Sequence, residues 1–261
     1  MNVLNKTKII LLCLVLAIGC SEDGISPSRD SSSGGTSENS GSGFGTGQGG
    51  SVARFTIAKE HLYVATENSI FTYSLANPAE PKFVSNQQQW TIVETIYSMN
   101  DYLFLGTQTG VIIYSVENPS TPVYISTYQH IRSCDPVVAK GKYAYFTLQT
   151  NNRCSRGVNL LDVINIENIH QPFEAHSSQM EKPSGLAISG DYLFVCDNGS
   201  LKTFNLANPA LPVYQATRSI AGCFDVIAKD GHIIVVSVEG ITQFSVNSQG
   251  GLTQLSSIPK E

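Results

Sequence analysis

The stretch YLFVCDNGSLKTFNLANPALP at residues 192–212 has two close counterparts in the same chain. These are HLYVATENSIFTYSLANPAEP at residues 61–81 and YLFLGTQTGVIIYSVENPSTP at residues 102–122. Each contains an apolar run, a polar turn, a second run with alternating side chains and an Asn-Pro-x-x-Pro segment. Short apolar and alternating runs bounded by turn residues predict β-strands, and their recurrence predicts a repeat protein.

Two diverged copies extend the repeat to five units. One runs from Tyr143 to Pro172, and another starts at His232 and lacks the prolines. The residues that precede each copy are spaced 41, 41, 49 and 40 apart: Glu60, Asp101, Lys142, Asp191 and Gly231. A repeat of about 40 residues with four strands is typical of a propeller blade. The sequence therefore predicts an all-β fold, a β-propeller of five blades with four antiparallel strands each, over residues 51–261.

The composition and the prolines agree with this prediction. Charged residues make up only 14% of the chain, and no stretch shows a sustained helical period, so we expect almost no helix. Proline cannot donate a ladder hydrogen bond, so the Asn-Pro-x-x-Pro segments should lie between the third strand and the outer strand. Since each unit contains a complete blade, we expect blade five to close the ring by packing on blade one.

The repeats resemble the LVIVD repeat, which is named for its third-strand consensus. The corresponding stretches here are Ile70–Leu75, Val111–Val116, Asn159–Ile164 and Leu201–Leu206, of which Leu160-Leu161-Asp162-Val163 is nearest to the name. The resemblance covers residues 52–258. The segments RSCDPVV, PSGLAI and FVCD also resemble LVIVD-repeat lipoproteins of Bacteroidota. This resemblance implies a β-propeller and implies no particular activity.

Residues 1–19 have the pattern of a bacterial lipoprotein signal peptide. Lys6 and Lys8 supply positive charge before an apolar run at residues 9–18. That run is too short to span a bilayer, which takes about 20 residues. It ends in Ala17-Ile18-Gly19-Cys20, which resembles a lipobox. The sequence predicts lipidation of Cys20, and the alternative is an ordinary secretory signal with a chance cysteine.

The segment after the anchor reads as a tether, and its first residues bear on location. Residues 20–50 are dominated by Ser and Gly and cannot bury enough apolar surface to fold. Ser21 follows the lipidated cysteine, so the inner-membrane retention signal of enteric bacteria is absent. Glu22-Asp23 resembles the acidic surface-export signal of Bacteroidota lipoproteins. We expect an outer-membrane protein, facing the cell surface.

Charge excludes one class of partner. The formal net charge is -5 and no basic patch is present, so nucleic acid is not an expected partner. The expected partners are the membrane, through the lipid anchor, and a protein or glycan that the sequence does not identify. We expect a monomer.

Acidic side chains recur where inner strands begin. Alignment of the five units places Glu94, Asp135 and Ser184 at one repeat position, and Arg54 and Asp225 one residue later. Inner strands converge on the propeller axis, so these side chains should meet at the mouth of its channel. Three carboxylates could bind a hard cation such as Ca²⁺, and two could act in glycoside cleavage. They could equally cap strand ends, pair with Arg54 or line a water-filled channel.

Four cysteines remain for the folded part. An exported protein meets oxidising conditions, so Cys134, Cys154, Cys196 and Cys223 suggest two disulfides. All four map to the face that carries the channel mouth. We favour Cys134–Cys154 and Cys196–Cys223 among three possible pairings. A zinc site and buried free thiols are the alternatives, although no CxxC spacing favours a metal.

These observations favour a non-enzymatic binding propeller. No triad order, phosphate loop or metal motif stands out. Trp90, the only tryptophan, could stack on a ligand at the channel mouth, but packing between blades is its more ordinary role. A carbohydrate-active hydrolase with carboxylates at the mouth is the alternative function, and a structural lipoprotein without a ligand is a third.

Overall fold

The structure is a computed structural model that describes residues 52–129, 136–149 and 158–260. These residues form twenty strands in five four-stranded antiparallel sheets and contain no helix. Accordingly, no helix in the described part of the chain is long and apolar enough to cross a bilayer. The predicted five-bladed β-propeller is confirmed.

Each blade is a meander of consecutive strands, numbered from the innermost to the outermost. Blade 1 consists of β1 (Phe55–Ala58), β2 (His61–Ala65), β3 (Ser69–Ser74) and β4 (Lys82–Gln88). Blade 2 consists of β5 (Val93–Met99), β6 (Tyr102–Thr107), β7 (Gly110–Ser115) and β8 (Val123–Gln129). Blade 3 consists of β9 (Val137–Lys140), β10 (Tyr143–Leu148), β11 (Leu160–Asn165) and β12 (Phe173–Gln179). Blade 4 consists of β13 (Pro183–Ser189), β14 (Tyr192–Asp197), β15 (Ser200–Asn205) and β16 (Val213–Ser219). Blade 5 consists of β17 (Asp225–Lys229), β18 (His232–Ser237), β19 (Gly240–Val246) and β20 (Leu252–Pro259).

The Asn-Pro segments form the turns that the sequence predicts. In blade 1 the backbone N–H of Ala79 donates to the side chain of Asn77 at 3.2 Å, and the N–H of Glu80 donates to the Asn77 carbonyl. The backbone N–H two residues ahead donates in the same way to the side chains of Asn118, Asn168, Asn208 and Asn247. An asparagine that bonds the backbone two residues ahead stabilises a turn, and in blade 5, which lacks the prolines, Asn247 makes this contact from one residue earlier in the repeat.

Neighbouring blades are joined by buried tyrosines that reach these turns. The Tyr63 hydroxyl of β2 donates to the Pro119 carbonyl of blade 2 at 2.8 Å. Tyr145 of β10 makes the equivalent bond to the Pro209 carbonyl of blade 4, also at 2.8 Å. The turn of one blade is thereby fixed to the central strand of the blade before it.

The expected closure of blade 5 on blade 1 is not observed. No hydrogen bond or ion pair between described residues joins these blades, and no core cluster contains residues of both. The side chains show the same break. Phe55 in β1 is 52% exposed, whereas its counterpart Ile96 in β5 is 2% exposed. Five complete blades were expected to suffice for a ring, but in the described residues each blade packs only on its neighbours along the chain, and blades 1 and 5 share no core.

Candidate functional site

Two of the predicted residues meet across the first blade boundary. Arg54 Nη2 lies 3.1 Å from Glu94 Oε2, and both side chains keep contact with solvent. The backbone holds them there, because the N–H of Ile96 in β5 donates to the Ala53 carbonyl at 3.0 Å. The arrangement is the one that the sequence left open as a pairing with Arg54.

Asp225, which aligns one residue after the position of Glu94, lies in a different environment. It begins β17 and is buried, and its Oδ1 accepts the backbone N–H of Val226 at 2.9 Å. A Cβ on Gly185 would overlap this carboxylate. Gly185 therefore allows the inner strands of blades 4 and 5 to approach, and its N–H donates to the Phe224 carbonyl at 2.9 Å. Asp225 contributes to this close packing.

Ser184 lies at the edge of a cavity between blades 3, 4 and 5. Its Oγ donates to the Cys196 carbonyl at 3.3 Å, and its own carbonyl accepts from Thr147 Oγ1 at 2.7 Å. The cavity, which we call the mouth cavity, measures about 430 Å³. Its lining consists of Gln149, Lys182, Ser184, Asn198, Gly199, Gly222, Cys223, Phe224 and Val238.

The mouth cavity combines apolar and polar groups. Phe224 and Val238 are 47% and 59% exposed, so the lining presents two apolar side chains to solvent. Lys182 and Asn198 supply a positive charge and an amide on the other side. The sequence did not identify these residues as a site, although Phe224 stands at the repeat position where Glu94 and Ser184 are polar.

A disulfide forms one wall of the mouth cavity. Cys196 at the end of β14 is bonded to Cys223 in the loop before β17, with their Cα atoms 5.4 Å apart. The favoured pairing of these two cysteines is confirmed. Gly222 beside the disulfide has φ +61° and would overlap Val238 if it carried a Cβ. The loop geometry therefore requires glycine at this position.

A buried ion pair fixes the segment that carries Lys182. The Asp197 carboxylate accepts the backbone N–H groups of Lys182 at 2.6 Å and Glu181 at 3.1 Å, and it lies 2.6 Å from Lys202 Nζ. Burial disfavours the charged Lys202 ammonium, but its hydrogen bonds with Asp197 and Glu181 outweigh this, so its pKa is above its ordinary value. Asn198 and Lys202 in turn lower the pKa of Glu181 through hydrogen bonds. Removal of the Asp197 charge would release this segment.

Trp90 lies apart from the mouth cavity. It is 78% exposed, and its ring meets Tyr124 of the outer strand β8 edge-on at a centroid distance of 6.1 Å. The interpretation that it packs between blades is therefore wrong, because most of the indole faces solvent. It does not line the mouth cavity, and a stacking role for Trp90 stays a prediction.

Several predicted residues lie outside the described part of the chain. They are Cys20, Cys134, Asp135 and Cys154. Within the described residues no group of three or more His, Cys, Asp or Glu side chains is arranged to hold a metal ion. The calcium set of Glu94, Asp135 and Asp225 needs the undescribed Asp135, so it stays a prediction.

Residues 182–215, which include most of blade 4, match the LVIVD repeat family. No curated protein is significantly similar to this chain in sequence.

Solved structures share the fold at low sequence identity. One is a periplasmic gluconolactonase of Pseudomonas aeruginosa, 16% identical with a TM-score of 0.61 over 77% of this chain and 67% of that one. Another is a protein from Lactobacillus plantarum, 12% identical with a TM-score of 0.63 over 76% and 67% of the chains. A functionally unknown protein from Desulfotomaculum acetoxidans is 12% identical, with a TM-score of 0.66 over 79% and 69%. The chain is thus a five-bladed β-propeller that contains an LVIVD repeat.

Proposed function

We propose that this protein is an exported lipoprotein, anchored through Cys20 on the outer membrane and facing the cell surface. Its propeller acts as a non-enzymatic binding module, and the mouth cavity holds the ligand. The observation that supports this role is a cavity of about 430 Å³ with exposed apolar and cationic groups on a cross-linked wall. Ligand sites have this size, and a few polar groups in them orient the ligand.

The chemistry of the lining favours a glycan that carries an acidic group. The flat ring of Phe224 can stack on a sugar face, and Val238 extends the apolar surface. The Lys182 ammonium can pair with a carboxylate, and Asn198 can bond hydroxyl groups. The Asp197 contact already holds the backbone of Lys182, and the disulfide holds the residue before Phe224, which lowers the ordering entropy that binding costs.

Hydrolysis is less well supported by the described carboxylates. A glycosidase needs two carboxyl groups that face one open cleft. Glu94 is held by Arg54 at 3.1 Å, and Asp225 is buried against Gly185. Neither lines the mouth cavity. Binding without chemistry is therefore the function that the geometry favours.

The binding role is tested with residues 43–261, which contain all five blades. The fragment is screened on an array of neutral and acidic glycans, and affinities are measured by calorimetry for Phe224→Ala and Lys182→Gln. We expect each to weaken binding of an acidic glycan about tenfold or more. Phe173→Ala is the matched control, because Phe173 is a similarly exposed phenylalanine on an outer strand. Absence of any glycan ligand, or equal binding by Phe224→Ala, would contradict the proposal.

The anchor is tested separately in cells. Full-length protein should incorporate an alkyne-labelled fatty acid, and Cys20→Ala should not. Intact cells treated with protease should lose the propeller if it faces outward. Labelling of Cys20→Ala at the wild-type level would contradict lipidation, and full protection from protease would contradict the surface location.

A further inference from the structure

The face of blade 1 that points away from blade 2 is apolar and uncovered. We call it the leading face; it consists of Phe55, Ile57, Leu62, Val64, Phe71 and Tyr73. Strand register brings these side chains together, because Phe55 pairs with Val64 and Val64 with Phe71. The second row runs from Ile57 through Leu62 to Tyr73. All six keep solvent exposure, while the intervening residues of β2 are buried.

Blade 5 has the complementary uncovered face on its far side. This trailing face consists of Ile227, Ile234, Val236 and Ile241. Ile227 pairs with Ile234, and Val236 pairs with Ile241. Along β18 these residues alternate with Ile233 and Val235, which are buried against blade 4. Blade 5 therefore uses only one of its two faces within the chain.

The two faces correspond to surfaces that pack together elsewhere in the same molecule. At the boundary of blades 1 and 2, the leading face of blade 2 is fully buried, and it consists of Ile96, Leu103, Leu105, Ile112 and Tyr114. It packs on the trailing face of blade 1, which includes Tyr63, Ala65 and Ile70. The leading face of blade 1 and the trailing face of blade 5 thus correspond to the two sides of such a boundary, and each lacks its partner in the single chain.

Charges at the rim of the two faces are also complementary. Lys140 at the end of β9 lies 2.8 Å from Asp191 of the next blade. The residue equivalent to Lys140 in blade 5 is Lys229, and the residue equivalent to Asp191 in blade 1 is Glu60. Both are exposed. A blade 1 placed after blade 5 would bring the Glu60 carboxylate to the Lys229 ammonium.

We propose that the occupant is a second copy of this chain, joined head to tail, with the trailing face of one copy packed on the leading face of the next. The tether is a poor occupant, because residues 26–51 contain Phe44 as their only large apolar side chain. This inference replaces the monomer that the sequence alone predicts.

A head-to-tail contact is heterologous, so each copy keeps one free face of each kind. The contact can therefore propagate from copy to copy. We expect self-association of residues 43–261 to rise with concentration and to pass beyond the dimer. Anchoring many copies on one membrane would raise their local concentration and favour the same contact.

The test uses two variants that each disable one face. Phe55→Glu blocks the leading face and Ile241→Glu blocks the trailing face, and both sites are exposed in the single chain. Sedimentation velocity should show that each variant alone associates at least about tenfold more weakly than the wild type. Mixed in equal amounts, they should form a dimer and stop there, because one intact boundary remains. Val213→Glu, an exposed position on the outer strand β16, should associate like the wild type.

Three results would overturn the proposal. The first is a wild-type chain that stays monomeric at every concentration, since the two faces would then be covered within one molecule. The second is an association that both variants leave unchanged. The third is a mixture that associates no more strongly than either variant alone, which would mean that the intact leading and trailing faces do not bind each other. Circular dichroism of both variants establishes that neither change unfolds the blades.

Discussion

The three interior blades and the two terminal blades share one strand pattern but bury different fractions of their apolar side chains. Central strands β6, β10 and β14 are buried at every position after the first, whereas β2 and β18 alternate between buried and partly exposed residues. The same strand pattern therefore forms a two-sided core in the interior and a one-sided core at each end. The difference teaches that a blade derives much of its stability from its neighbours.

The largest expected difference concerns two isoleucines at one repeat position. Ile70 in β3 is 0% exposed and Ile241 in β19 is 41% exposed. Ile70→Ala should lower the free energy of unfolding by about 2–5 kcal/mol, because it leaves a cavity. Ile241→Ala should lower it by less than about 1 kcal/mol, since its side chain is only partly removed from water. Urea unfolding of the dilute fragment measures both, and equal losses would contradict the one-sided burial of blade 5.

The disulfide should contribute the next largest effect. Cys196 and Cys223 are 27 residues apart, and closing a loop of that size restricts the unfolded chain by about 3–4 kcal/mol. The double variant Cys196→Ala/Cys223→Ala should therefore lose a similar amount of unfolding free energy. This loss measures how strongly the bond holds terminal blade 5 to blade 4. Dithiothreitol should destabilise the wild type by a larger amount than it does the double variant. An equal response in both proteins would mean that the Cys196–Cys223 bond contributes nothing.

A smaller loss is expected for the tyrosine bond that joins interior blades. Tyr145→Phe removes the donor to the Pro209 carbonyl and should cost about 1 kcal/mol, because that carbonyl loses its partner. Tyr143→Phe, at the partly exposed first position of β10, is the matched control and should cost little. If the two variants unfold at the same urea midpoint, this hydrogen bond has no role in stability.

The smallest effect should appear only at high pH. Burial, together with the nearby charges of Glu174 and Asp162, raises the pKa of Tyr128 from 10.0 to about 12. The unfolded chain then loses the phenol proton first, so this contribution is complete below about pH 10 and is lost as the pH rises toward 12. Tyr128→Phe should therefore flatten the decline of the urea midpoint in this range, and Tyr124→Phe, an exposed neighbour on β8, should not. A decline of unchanged slope in Tyr128→Phe would contradict the burial of this phenol.

Much of the fold follows from local pattern. The spacing of Glu60, Asp101 and their counterparts sets the hairpins. In blade 3 the sequence predicts strands at residues 136–140, 143–149, 158–164 and 173–177, and the observed strands begin and end within two residues of these bounds. The break between blades 5 and 1 did not follow. Phe55 and Ile241 are as apolar as their buried counterparts Ile96 and Ile70, so the pattern carries no sign that they lack a covering blade.

The candidate site was predictable in part. Repeat alignment placed Arg54 near Glu94, and the shared face of the cysteines favoured the Cys196–Cys223 bond that the structure contains. Alignment also placed Asp225 at the start of an inner strand, one residue after the position of Glu94, but the close approach of Gly185 buries Asp225, and only the three-dimensional packing shows this. The exposure of Phe224 and Val238 likewise depends on where the loops of blades 4 and 5 leave space.

Thiol accessibility tests the central claim, that the terminal blades leave two faces uncovered, most directly. Single cysteines replace Phe55 or Ile241 at the ends, and Ile96 or Ile70 at the matched interior positions. Each variant is diluted until it is monomeric and treated with N-ethylmaleimide, and modification at the introduced cysteine is followed by peptide mass spectrometry. The account predicts rapid modification of Phe55→Cys and Ile241→Cys and protection of Ile96→Cys and Ile70→Cys. Equal protection of all four would mean that blade 5 closes on blade 1, and would contradict the account.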